Sequence, residues 1–142
     1  MRIIMPIVIK HISDQIAKGN ICYLVRKNGK VIVIDKSEVD LLAIAKQEQM
    51  VAEIEEKMDK YVKVEMVSEK DQLLIMADFI EQVAEKSVKR ELTNALKRKS
   101  PIRNFLREVE GGDLGLNQHW INFNNKERQR WVSNFLIDAY NY

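Results

Sequence analysis

The chain reads as an α+β fold, with a small antiparallel sheet packed against several helices and a C-terminal half that is all helical. Three observations predict this. Two β-branched runs, Ile21–Lys27 and Lys30–Asp35, flank Asn28-Gly29, the strongest short hairpin signal. A third run, Tyr61–Val67, alternates apolar and charged residues, the pattern of a half-buried strand. From Ser68 onward the apolar residues recur at helical spacing only. At 142 residues one domain is expected, its hairpin part over 1–67 and its helical part over 68–142.

Taken in order, Ile7, Ile9, Ile12, Ile16 and Ala17, at mixed but mostly helical spacing, predict a first helix over about Val8–Lys18, closed by Gly19-Asn20. The hairpin, 21–35, follows, and a type I′ turn at Asn28-Gly29 requires positive φ at both residues. Its strands are apolar on both faces near their middle, so helices are expected over part of each side. Ser37 is placed to cap a helix from Glu38 that carries Leu41, Leu42, Ile44 and Ala45. The polar gap Lys46–Gln49 leaves open whether Met50, Ile54 and Met58 belong to that helix or to a second one. The strand over 61–67 is expected beside the hairpin.

Ser68-Glu69-Lys70-Asp71 is a cap-like opening to a helix through Leu73, Met76, Phe79, Ile80 and Val83. A helix over Lys86–Lys99 carries Val88, Leu92, Ala95 and Leu96 on one stripe. Pro101 stops it, since the ring removes a donor and disfavours helical geometry at Ser100. Ser-Pro also opens the next helix, Ser100 as cap and Pro101 at its first position, with Ile102, Phe105, Leu106 and Val109 inward. The result is a helix–helix corner with Lys97–Lys99 on its outside. Gly111–Gly115 reads as a flexible connection, Trp120 and Phe123 lie just before the last helix, and that helix carries Trp131, Val132, Phe135, Leu136, Ala139 and Tyr140.

Composition narrows the function classes. A net charge of +2 is too small to imply nucleic acid or a membrane by itself. One cysteine, Cys22, permits no internal disulfide and no Cys-based zinc site. The apolar run Ile3–Ile9 contains Pro6 and stops at Lys10, too short for a signal h-region or a membrane span. A cytoplasmic protein of bacterial type, with no membrane association, is the expectation.

The segments Tyr61-Val62-Lys63-Val64, Phe79-Ile80, Arg90–Leu96, Pro101–Leu106, Trp120–Phe123 and Trp131 together resemble a bacterial family, Uncharacterised Protein Family 0158. In that family a helix ending in Ala-Leu is followed by a short basic turn, an Arg-x-Phe helix and a Trp-x-x-Phe segment. The hairpin Tyr23-Leu24…Gly29-Lys30-Val31 is similar to the family's own, and the resemblance covers most of the chain after about Gly19. Family members usually carry Phe where Ile102 stands, an acidic linker in place of Lys46–Lys60, and a proline after the Tyr61 strand, where this chain has Glu65-Met66-Val67. The resemblance implies no activity, because the family has none established.

Few residues carry chemistry. His11 and His119 are far apart, without a thiolate or a second histidine one turn away, so ordinary surface roles are expected and no metal or other cofactor. Cys22 falls in an apolar strand, where an inert buried thiol is the norm. Gly111-Gly112-x-x-Gly115 follows a helix and precedes no Lys-Ser/Thr, which contradicts phosphate-loop and dinucleotide contexts. Glu53, Glu55, Glu56 and Asp59 read as a solvated helix face, and Phe105, Trp120, Phe123, Trp131 and Phe135 as core. The candidate binding surface is Lys97, Arg98, Lys99 and Arg103, joined by Lys86, Lys89 and Arg90 with only Glu91 opposing. Lysines near a helix C-terminus also have a purely structural reason, the helix dipole. Nucleic-acid binding would want aromatic platforms or a recognition helix among these charges, and the aromatics fall on the apolar stripes instead. No catalytic set emerges. The leading expectation is a non-enzymatic binding or regulatory module acting through a protein partner; the alternative is a nucleic-acid-associated protein using the basic corner 86–103.

Overall fold

The computed structural model describes residues 4–111 and 115–140. Among them lie six α-helices and one three-stranded antiparallel sheet, so the fold is α+β. The chain divides into two compact units, 1–66 with 129–142, and 67–128.

In the first unit, α1 (Pro6–Ala17) starts on a proline at its first position, which needs no N–H there. It ends in a Schellman motif: Asn20 N–H donates to the Gln15 carbonyl and Gly19 N–H to that of Ile16. Gly19 takes the left-handed conformation this requires, at φ +87°. The strands β1 (Ile21–Val25), β2 (Val31–Ile34) and β3 (Tyr61–Val64) have the order β2-β1-β3. Ile21 faces Ile34 and Tyr23 faces Ile32, while Cys22 faces Val64 and Leu24 faces Val62. β3 is therefore beside the hairpin as expected, but it ends at Val64.

The hairpin turn is not the expected type I′. Gly29 is at φ +74° but Asn28 is not at positive φ. The loop spans four residues, with Val25 N–H donating to the Lys30 carbonyl and Gly29 N–H to that of Val25. Asn28 instead turns its side chain back, accepting from Lys30 N–H at 2.9 Å. An Asx contact of this kind substitutes for the second left-handed residue.

α2 (Leu41–Glu55) is one continuous helix followed by a single 3-10 turn, Met58–Lys60. Ser37 does not cap it: its hydroxyl donates to Asp35 Oδ1 at 2.6 Å, and Asp40 takes the cap position without a side-chain bond. Val51 and Ile54 of α2 pack on Tyr23 and Ile34 of the sheet, with Ile21, Ile32 and Tyr61 around them. The opposite face of the sheet, Cys22, Leu24, Val62 and Val64, is buried too. Gln47 secures α2 just past the end of β2, accepting from Asp35 N–H at 2.6 Å and donating to the Asp35 carbonyl at 3.2 Å.

The second unit is helical. α3 (Glu69–Glu81) opens on a side-chain cap in which Asp71 N–H donates to Ser68 Oγ, and the Ser68 hydroxyl donates to Asp71 Oδ2. α4 (Lys86–Lys97) and α5 (Pro101–Gly111) follow, and α3, α4 and α5 pack pairwise on one another. Their core is Met76, Phe79, Ile80, Leu92, Phe105, Val109 and Trp120. Phe79 lies at its centre, edge-on to Phe105 at 6.3 Å and to Trp120 at 5.3 Å, the arrangement the ring quadrupoles favour. Trp120 and Phe123 belong to α6 (Asn117–Tyr140), which begins earlier than the sequence suggested. Of the Gly111–Gly115 connection, residues 112–114 lie outside the described residues.

Two aromatic expectations need correcting. Trp131 is only half-buried and Phe135 is 38% exposed. They stack on each other, 5.4 Å apart and 22° from parallel, which hides apolar area between the two rings. Beside them on α6, Val132 and Leu136 are fully buried.

Candidate functional site

The corner between α4 and α5 is built from the core outward. Val88, Leu92 and Ala95 bury one face of α4, and Phe105 and Val109 one face of α5. Fixing these faces inward turns Lys86, Arg90, Lys97 and Arg103 outward, and all four are exposed. α4 ends at Lys97, two residues before the expected end, so Arg98 and Lys99 stand in the turn itself, exposed as well.

The turn is three residues long, 98–100. Ser100 makes it that short by adopting φ +60°, the one non-glycine residue at positive φ among those described. This is not the extended conformation of an ordinary N-cap, and it costs a residue with a Cβ about 1 kcal/mol. The Ser100 carbonyl still accepts the first bond of α5, from Asn104 N–H at 3.0 Å. The Asn104 side chain donates to the Lys99 carbonyl at 2.7 Å and ties the turn to the helix. A serine ahead of a proline reads as a cap in sequence, and nothing in it signals left-handed backbone.

Electrostatically the corner is uncompensated. Between 86 and 107 the chain has eight Lys and Arg against one acid, Glu91. Lys89 reaches Glu81 at 3.6 Å, partly exposed, a pair of small energetic worth. Among the described residues Lys97, Arg98, Lys99 and Arg103 have no ion pair, so their field is unspent on the fold. Arg107, one helical turn after Arg103, is exposed and extends the cluster. Arg107 lies beyond the sequence-predicted cluster, and its i, i+4 spacing from Arg103 on a helix with Phe105 and Val109 inward is the signal that points to it.

The family model of the uncharacterised protein family (UPF0158) matches residues 4–140. The chain belongs to that family. The match takes in the hairpin, the basic corner and α6 alike. No curated protein and no solved structure matches the chain.

The remaining polar candidates of this UPF0158 protein fall in both compact units. His11 and His119 are both exposed, and the His119 ring stands edge-on to Phe79 at 5.3 Å. Among the described residues no three His, Cys, Asp or Glu side chains come together as a metal site would need, and no helix is long and apolar enough to cross a membrane. Glu53, Glu55, Glu56 and Asp59 are exposed, as a solvated face would be. Burial pushes the Cys22 thiol up to about 11, away from the thiolate that a nucleophile requires. Asp35 is held below the usual carboxylate range by the bonds it accepts from the Ser37 hydroxyl and N–H, a local turn rather than a reactive pair. A cavity of about 300 Å³ lies beside Phe79, lined by Val83, Val88, Leu116 and His119.

Proposed function

We propose that this protein is a non-enzymatic binding module of the bacterial cytoplasm, and that nucleic acid engages its basic corner. What carries the reading is the unpaired charge: Lys97, Arg98, Lys99 and Arg103 are exposed and without an ion pair among the described residues. They lie in and on either side of a turn whose flanking helices are held by Leu92, Ala95 and Phe105, all fully buried. Cations concentrated on a rigid support bind phosphates by releasing counterions. The dipole of α4 accounts for Lys97 near the helix end, but its influence fades within a turn and does not account for Arg103 on the next helix. A single buried cysteine suits a reducing compartment.

The test is a salt titration of binding to generic duplex DNA, single-stranded DNA and RNA, with wild type and a variant replacing Lys97, Arg98, Lys99 and Arg103 by Gln. Affinity should fall steeply with salt, and the log–log slope should drop by about one for each lost phosphate contact. Equal and salt-independent binding by both proteins, or none at physiological salt, would refute the reading. A second reading, a protein partner, rests on another observation. Val39, Leu41 and Leu42 at the start of α2 are 85%, 81% and 64% exposed, an apolar group of the kind that marks interaction surfaces. Replacing Leu41 and Leu42 by Lys should then abolish a nuclease-resistant association while the fold is kept.

A further inference from the structure

We infer that α4, the turn 98–100 and α5 form a helix-turn-helix that reads duplex DNA, with α5 lying in the major groove and Arg103 and Arg107 on base edges. The inference rests on the proposed nucleic-acid reading and goes further, naming duplex DNA, the element that enters it and the residues that give sequence preference.

Topology is the first support. Three mutually packed helices, the last two joined by a three-residue turn, have the connectivity of this motif, whose turn is three or four residues and often contains glycine. Ser100, at φ +60°, holds the conformation that glycine most easily supplies. In three-helix versions the last helix reads the groove, which here is α5.

The faces agree. Phe105 and Val109 of α5 are buried, while Arg103 and Arg107 are exposed one turn apart. Four residues advance a helix by about 6 Å, close to two base-pair steps at about 3.4 Å each. Each guanidinium is therefore positioned for its own base pair, and arginine matches the two acceptors of guanine in the major groove. Arg98 and Lys99 in the turn and Lys97 at the end of α4, with Lys86 and Arg90 on the outer face of α4, are left for phosphates on either side. Glu110, next on the exposed face of α5, places a negative charge at its far end, so insertion is by the first two turns.

The alternatives fit less well. A single strand would need exposed rings to stack on, but Phe79, Phe105 and Trp120 are all buried. The major groove of an RNA duplex is too narrow for side chains to read.

The deciding experiment is selection of binding sites by the full chain from a pool of duplexes with a randomised 20-base-pair centre, followed by affinity for the selected and a scrambled duplex. A selected site containing guanines about two steps apart is expected. Arg103→Lys and Arg107→Lys keep the charge but lose the two-pronged contact, so each should cut the preference for the selected duplex by about tenfold to a hundredfold and leave affinity for the scrambled one within about twofold. The triple variant Lys97→Gln, Arg98→Gln, Lys99→Gln should weaken both duplexes alike and flatten the salt slope. Salt-dependent binding with no sequence enriched, or a preference unchanged in both lysine variants, would overturn the inference and leave the nucleic-acid reading standing. Absence of duplex, single-strand and RNA binding at physiological salt would remove both.

Discussion

Truncating Phe79 to Ala is the sharpest test of how the helical unit is held together. The ring is fully buried and lies against Phe105, Trp120 and Phe123, with centroids 6.3, 5.3 and 5.4 Å away. Removing a buried Phe costs about 3–5 kcal/mol in transfer and cavity terms together. Each edge-to-face pair adds about 0.5–1.5 kcal/mol beyond burial, which pushes the value up. The neighbouring cavity of about 300 Å³ lets water reach the space left behind, which pulls it down. The expected loss is about 4 kcal/mol, a large share of the ~5–15 kcal/mol that holds a domain folded. Urea unfolding followed by tryptophan fluorescence would measure it in a Trp131→Phe background, where Trp120, 5.3 Å from the deleted ring, supplies the signal. Phe79→Leu, which keeps most of the volume but loses the ring pairs with Phe105 and Trp120, should lose about 1–3 kcal/mol, less than the Ala variant. A loss below about 1.5 kcal/mol for the Ala variant, with unchanged helical dichroism, would mean that the three helices do not depend on this ring.

Other expectations follow from the same geometry. Trp131→Ala, removing a half-buried ring stacked on Phe135, should cost about 1–2 kcal/mol, clearly less than Phe79→Ala in the same denaturation assay. At the corner, Ser100 is at φ +60°, so Ser100→Gly should hold or raise the melting temperature, whereas Ser100→Val should lower it by the equivalent of about 2 kcal/mol. Gly19 has open space where a Cβ would stand but sits at φ +87°, so Gly19→Ala should cost about 1 kcal/mol from backbone strain alone. Cys22 should react with a disulfide reagent only as fast as the protein opens. With its thiol raised from 9.0 to about 11, folding stability from this group is complete below pH ~9 and is lost as pH rises through ~11, because the unfolded chain releases the proton first. Cys22→Ala should flatten that alkaline decline in a series of urea melts.

The parts of the fold legible in the sequence were those where one physical signal dominates. Asn28-Gly29 between two β-branched runs located the hairpin, and the stripe Val88, Leu92, Ala95 located α4 and its buried face. What stayed hidden depends on competition between neighbours. Asn28 has a side chain that satisfies Lys30 N–H directly, so the loop relaxes to four residues. Ser37 is drawn to Asp35 before it can cap α2. Trp131 and Trp120 look equally apolar in sequence, yet Trp120 is buried in the core of the helical unit and Trp131 is only half-buried. At the corner the charges were visible at once, since charge is written in composition. The left-handed Ser100, the three-residue turn and the outward place of Arg107 are matters of backbone path, which composition does not encode.

The paired bonds between Gln47 and Asp35 have a consequence for life at high concentration. β2 is an outer strand of the sheet, and an outer strand invites any extended chain to dock along it. By offering one acceptor and one donor, the primary amide of Gln47 gives Asp35 the two partners that an incoming strand would give. The site is occupied from within, by a group too short to propagate a ladder. Gln47→Leu would leave the end of β2 open to the next molecule. Such a substitution would show itself less in unfolding curves than in turbidity on standing, as chains that are still folded begin to adhere edge to edge.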